Sequence, residues 1–197
     1  ASDSLLYFMG AENLILNKSL FFDEELIFNN FAIPNLKGNG YLFAIQPPAY
    51  IFLISIISGI TNLDIFWSSK LLNFISVAGI FYILRFYIFH SNLISIFVLF
   101  NSSFLEVFSY SLIEPLFIFL LCFNIIILYK FLKSKKNKIS FIFLIILSSY
   151  LISFSRYNGM LILPCIILLA VYCIFYLKQI NKGIILIIIS FVLFIGI

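Results

Sequence analysis

Ionisable residues in or beside long apolar runs are the first candidates for chemistry in this sequence. Lys70, Glu106, Glu114 and Arg156 stand out, because a charge at hydrocarbon depth is costly and usually functional. If Lys70 and Arg156 lie with Glu114 and Asp3 at one face of a membrane, the two cations could bind a phosphate. The carboxylates could then do acid–base or metal chemistry. These residue types predict a site for an anionic lipid headgroup.

Each of these residues also has a structural explanation. Lys70 can extend its aliphatic stem along its helix and place its ammonium at the membrane interface. Glu114 precedes Pro115, and an acid in the first turn of a helix interacts favourably with the helix dipole. Arg156 lies in a polar break and can anchor a turn, and Glu106 is expected to make a buried hydrogen bond.

The composition determines the solvent that this chain needs. Of the 197 residues, 63% are hydrophobic and 10% are charged, and the mean hydropathy is +1.17. A soluble domain has about 45–50% apolar and about 25% charged residues. One core of this size could not bury so much apolar surface, so the composition predicts a multi-pass membrane protein.

The charged and metal-binding residue types exclude several functions. The net charge is +4, but five of the twelve basic residues cluster at positions 130–138, as expected of a cytoplasmic loop rather than a nucleic-acid surface. Cys122, Cys165 and Cys173 lie within apolar runs, which favours small buried hydrophobes over disulfides or metal ligands. His90 is the only histidine, which argues against a His-based triad or a multi-histidine metal site.

The elements that must position these residues are predicted to be all α-helical. We expect a first external loop at 1–46, carrying short amphipathic helices such as 4–16, and a transmembrane helical bundle at 47–197. The bundle is expected to contain about six spans plus a short Pro-Pro helix and to be truncated at both ends, as a piece of a longer protein. The apolar runs lie at 47–60, 65–89, 93–111, 115–129, 139–154, 159–177 and 183–197.

The positions of the basic turns predict an orientation. If the lysine-rich loop at 130–138 is cytoplasmic, counting spans outward places Glu114, Arg156 and the turn at 62–64 on the external side. The first run, 47–60, covers only about 21 Å, short of the roughly 30 Å of hydrocarbon. If it does not cross, the acidic region 1–46 is also external, which we favour. If it crosses, that region is cytoplasmic.

Six short motifs, in this order, resemble those of a known superfamily. The chain resembles the GT-C membrane glycosyltransferases, above all bacterial relatives of the dolichyl-phosphate-mannose protein mannosyltransferases and the aminoarabinose transferases. Some pieces also resemble the GPI-anchor mannosyltransferases. The motifs are SDSLLY at 2–7, GAENLILN at 10–17, QPPAY at 46–50, KLLN at 70–73, IEPLF at 113–117 and RYNG at 156–159.

The resemblance implies a GT-C-like bundle that transfers a sugar from a polyprenyl- or dolichyl-phosphate donor to a glycan, lipid or protein acceptor on the external or lumenal face. Asp3 matches the acidic residue that opens the family's first external loop, which makes it the candidate catalytic base. A divalent metal ion bound by Asp3 is the alternative role. The bilayer would be that of a bacterial plasma membrane or of the endoplasmic reticulum.

The resemblance also implies a set of substrate-binding residues. The set is Tyr7, Gln46, Lys70, Glu114, Arg156 and Tyr157. Gln46 departs from the family pattern, which often has a basic residue before Pro-Pro to bind the lipid phosphate. Phosphate binding would then fall to Lys70, Arg156 or a residue beyond position 197.

The sequence is also compatible with other functions. A transporter or flippase is the main alternative, and its typical features are inverted repeats, broken helices and charges at the bilayer midplane. The sequence has no such repeat. A polysaccharide polymerase or ligase would share the substrate class, and a purely structural membrane subunit would need neither Asp3 nor Glu114.

Overall fold

A computed structural model of the chain describes residues 2–18, 48–101, 113–134 and 139–196. These residues form eight α-helices and no strand, which confirms the all-α prediction. The helices are α1 Ser2–Asn17, α2 Pro48–Thr61, α3 Ile65–Ile83, α4 Asn92–Leu99, α5 Glu114–Lys133, α6 Ile139–Ser155, α7 Ile162–Phe175 and α8 Ile180–Gly196. A π-helical turn, Leu84–Ile88, extends α3, and a 3-10 turn, Tyr157–Leu161, joins α6 to α7.

Three helical segments are long and apolar enough to cross a membrane. They are Ile65–Ile88 with 24 residues, Glu114–Lys133 with 20 and Asn158–Phe175 with 18, and each coincides with a predicted span. In each segment, at most 39% of an 18-residue apolar window is buried inside the protein. Most of the apolar side chains therefore point outward. That distribution fits a lipid solvent and not water.

The other predicted spans, and the short Pro-Pro helix α2, are shorter apolar helices. α6 and α8 have 17 residues each, and α2 has 14. The predicted span 93–111 is helical from Asn92 to Leu99, and its residues 102–111 lie outside the described part of the chain. The predicted number of spans is therefore shown for three of about six.

The bundle is built around α5 and α6, which pack against each other over most of their length. α3 also packs against α5, and α2 packs against both α3 and α6. α7 and α8 pack as a pair, and α8 connects this pair to α6. The side chains at these contacts are fully buried, among them Ile54, Ile145, Ile152, Leu186 and Leu193. Such contacts supply the van der Waals packing that holds membrane helices together.

Polar side chains also join α5 to α6 near the middle of both helices. The buried amide of Asn124 donates to the hydroxyls of Ser148 at 2.7 Å and Ser149 at 3.0 Å. Interhelical hydrogen bonds of this kind contribute on average about 0.6 kcal/mol each in a membrane. They fix the rotation of the two helices more than they stabilise the bundle.

α1 confirms the predicted helix at 4–16 and packs into the bundle. Tyr7, Gly10 and Ala11 form its buried face, at the spacing of one side of a helix. A Cβ on Gly10 would lie 2.7 Å from the side chain of Ile51, which shows how closely α1 and α2 approach. The rest of the predicted external loop, residues 19–46, lies outside the described residues.

The charged residues separate to the two ends of the bundle. At one end, which we call the lysine end, Lys130 at the end of α5 donates to the hydroxyl of Tyr87 at 2.6 Å. Lys182, at the start of α8, donates to the carbonyls of Leu132 and Ser134 at the same end of α5. Glu114 is the first residue of α5 and lies about 30 Å from Ser134 at the other end, at 1.5 Å per residue. The separation is the one that the spacing of basic turns predicts.

Candidate functional site

The candidate site lies where α5 begins and α6 ends. Glu114 is the first residue of α5, and Pro115 follows it in the first turn, where the missing N–H of proline has no helical partner to lose. α6 ends at Ser155, and Arg156 has an extended backbone, with φ −150° and ψ 149°. The antiparallel packing of α5 on α6 brings these two positions together.

Glu114 and Arg156 form an ion pair. Nη1 of Arg156 lies 3.3 Å from Oε1 of Glu114, and 41% and 28% of the two side chains are exposed. The guanidinium carbon of Arg156 also lies 5.8 Å from the centre of the Phe117 ring. A pair this exposed contributes only about 0–1 kcal/mol to stability, so stability alone is a weak reason for its presence.

The second carboxylate oxygen of Glu114 is in a different environment. Oε2 is buried and has no hydrogen-bond partner among the described residues. Buried polar atoms are nearly always hydrogen-bonded. An acceptor of this kind is suited to a hydroxyl or another donor group that enters the site.

The turn that carries Arg156 is held close to α6 by Gly159. The N–H of Gly159 donates to the carbonyl of Arg156 at 2.8 Å. A Cβ on Gly159 would lie 2.0 Å from the backbone oxygen of Ile152, so no other residue fits without moving the turn. The RYNG motif is therefore a tight 3-10 turn whose glycine allows the close packing that positions the arginine.

A pair of tyrosines lies beside this site. Tyr50 is fully buried, its hydroxyl donates to Oδ1 of Asn73 at 3.1 Å, and its ring meets that of Tyr7 edge to face at 5.0 Å. α2, which carries Tyr50, is not one of the three candidate spans. Burial raises the pKa of the Tyr50 hydroxyl, and the neighbouring Tyr7 and Glu114 raise it further. Tyr50 is therefore a neutral hydrogen-bond donor.

The structure places the predicted site residues in three groups. Glu114 and Arg156 are in contact, and Tyr7 contacts Tyr50 near them. Lys70 is half-buried in the second turn of α3, with its ammonium 5.4 Å from the centre of the Phe66 ring. Asp3 and Tyr157 belong to α1 and the 3-10 turn, but their side chains lie outside the described part, as do Gln46 and Glu106.

Two buried polar residues of the site were not predicted. Tyr50 and Asn73 lie within the quoted QPPAY and KLLN motifs, yet neither was assigned a role. An asparagine inside an apolar run is the signal that could have found Asn73, because a buried amide needs a partner. Among the described residues, no group of three or more His, Cys, Asp or Glu side chains could hold a metal ion.

No protein-family model matches this chain, and comparison with curated proteins and with solved structures finds no match either. We therefore infer the class of the protein from its helices alone. It is an all-helical protein of eight described α-helices, three of them long and apolar enough to cross a membrane. This architecture supports a multi-pass membrane protein.

Proposed function

We propose that this chain is part of a membrane glycosyltransferase that takes a sugar from a polyprenyl- or dolichyl-phosphate donor. The observation that carries the proposal is the Glu114–Arg156 pair at the end of the bundle opposite the lysines. One carboxylate oxygen of this pair is buried and has no partner in the described part of the chain. The motif order supports the same assignment. The acceptor, which is a glycan, lipid or protein, would meet the donor at that end.

The chemistry needs a base and a cation at one membrane surface. In an inverting transfer, a carboxylate accepts the proton of the acceptor hydroxyl as its oxygen bonds to the anomeric carbon of the sugar. The bond from that carbon to the phosphate oxygen breaks, and the phosphate leaves with the electron pair. Positive charge beside the phosphate stabilises this transition state.

Each residue has a proposed role in this reaction. Asp3 is the proposed base, and Arg156 with Lys70 binds the departing phosphate. Glu114 orients the guanidinium through the 3.3 Å contact and offers its second oxygen to a sugar hydroxyl. Tyr7, Gln46 and Tyr157 complete the substrate-binding set.

The test is transfer by the full-length protein in proteoliposomes supplied with radiolabelled undecaprenyl-phosphate or dolichyl-phosphate sugars. Asp3→Asn is expected to lower the rate about 10²–10⁴-fold, the usual contribution of a general base. Arg156→Gln is expected to lower it strongly as well. Asp64→Asn is the matched control for the acid, because Asp64 lies at the same end and caps α3. Arg85→Gln, at the lysine end, is the control for the arginine.

Three outcomes contradict the proposal. Unchanged transfer by Asp3→Asn removes Asp3 from the catalytic role, and equal losses in Arg156→Gln and Arg85→Gln remove the phosphate site from this end. Movement of the labelled lipid across the bilayer without any sugar transfer favours the alternative, a transporter or flippase of lipid-linked or small polar substrates.

A further inference from the structure

An apolar groove runs along the bundle toward the lysine end, from Phe119 to Lys130 on α5. It has a volume of about 350 Å³ and lies over α5, between α3 and α6. Its walls are aromatic and aliphatic, with Tyr82, Phe119, Phe123 and Leu144 among them. A volume in this range is typical of ligand pockets, which measure roughly 300–1,000 Å³.

The groove exists where the short helix α2 does not reach. α2 packs against both α3 and α6, and the hydrogen bond from Tyr50 to Asn73 places its first turn level with the middle of α3. No α2 residue lines the groove. The lining residues of α3 begin at Gly79, which is about 9 Å further toward the lysine end than Asn73.

A cation stands at the mouth of the groove. Lys130 lines the groove and is exposed, and its ammonium donates to the hydroxyl of Tyr87 at 2.6 Å and lies 4.6 Å from the centre of that ring. An ammonium has three N–H donors. Tyr87 therefore orients the cation while leaving it donors for an anion outside the groove.

We propose that this groove binds one acyl chain of an anionic phospholipid, with the lipid phosphate at Lys130. The apolar walls match a hydrocarbon chain, and the lysine at the mouth matches the phosphate, as in other basic pockets between membrane helices. A helix, about 10 Å across, is too wide for this volume. Lys130 lies at the end of α5 opposite Glu114, so the proposed lipid phosphate position is separate from the proposed donor phosphate site.

The test counts lipids that stay bound to the full chain in native mass spectrometry, after titration with palmitoyl-oleoyl phosphatidylglycerol or phosphatidylcholine. The wild type is expected to retain one phosphatidylglycerol about five-fold more tightly than phosphatidylcholine. Lys130→Gln is expected to remove this difference. Lys133→Gln is the matched control, because Lys133 is exposed on the same helix and does not line the groove.

A second pair of variants tests the acyl chain. Leu144→Trp fills the groove and is expected to weaken the binding of both lipids. Leu147 is exposed on the same helix and outside the groove, so Leu147→Trp should leave binding unchanged.

A third experiment adds inorganic phosphate, which should not displace the lipid. Any of three results would overturn the proposal. Lys130→Gln and Lys133→Gln could lose lipid binding equally, the two tryptophan variants could bind lipid equally, or phosphate alone could displace the lipid.

Discussion

Replacing Gly159 by alanine should destabilise the bundle, because the added methyl group meets backbone atoms that cannot rotate away. The Cβ would lie 2.0 Å from the carbonyl oxygen of Ile152, 2.7 Å from its carbon and 3.0 Å from Cα of Ser153, whereas ordinary contacts begin at 3.4 Å. The turn and α6 must separate by more than 1 Å to relieve this contact. Overpacking of this kind costs about 1–3 kcal/mol.

The loss should be visible in thermal unfolding of the full chain in detergent, followed by circular dichroism at 222 nm. For a chain of this size, each kcal/mol lowers the Tm by about 2–4 °C, so we expect Gly159→Ala to lower it by about 2–12 °C. The control is Gly59→Ala in α2, where an added Cβ meets nothing within 4 Å. There alanine should stabilise the helix by roughly 0.5–1 kcal/mol.

The two glycine variants should therefore move the Tm in opposite directions. A Gly159→Ala protein that melts within about 1 °C of wild type would refute the close packing of the turn on α6. Equal shifts in both variants would refute it as well. The same substitution should also move Arg156 away from Glu114, because the N–H of Gly159 holds the carbonyl of Arg156.

Three further substitutions test other contacts by the same unfolding assay. Lys182→Met leaves two carbonyls at the end of α5 without their donor and should cost about 1–3 kcal/mol; no loss would mean that water replaces the ammonium. Asp64→Ala removes the carboxylate that accepts from the N–H of Trp67 at 2.8 Å and should cost about 0.5–2 kcal/mol of stability. The fluorescence emission of Trp67 should shift as well, whereas Asp64→Asn should keep the cap. Tyr50→Phe removes the hydrogen bond to Asn73 and should cost about 1 kcal/mol, and a more stable variant would contradict the pairing.

The fold class and the helix positions could be predicted because they depend on local quantities. The length and polarity of an apolar run determine whether it can cross hydrocarbon, so Ile65–Ile88 and Glu114–Lys133 were located to within a few residues. Lys130 and Glu114 lie at opposite ends because they flank one predicted span, 115–129, which is a single helix in the structure. The place of α2 between α3 and α6 could not be predicted, since it depends on packing between distant segments.

The candidate site was predictable in part. The count of spans predicts Glu114 and Arg156 at the same end, but their contact depends on the register between α5 and α6, which no local pattern specifies. The buried hydrogen bond of Tyr50 was missed because an apolar run gives no sign of which residue faces a partner. The roles of Asp3, Gln46 and Tyr157 remain predictions from the resemblance.

The hydrogen bonds between Asn124 and the two serines of α6 have a consequence for biosynthesis. α5 alone would carry an unpaired amide into hydrocarbon, which costs free energy at the moment of insertion. If α5 and α6 leave the translocation machinery together, Ser148 and Ser149 pair with that amide before either helix meets lipid separately. These two helices, joined by the short segment 134–138, are therefore expected to enter the bilayer as one hairpin.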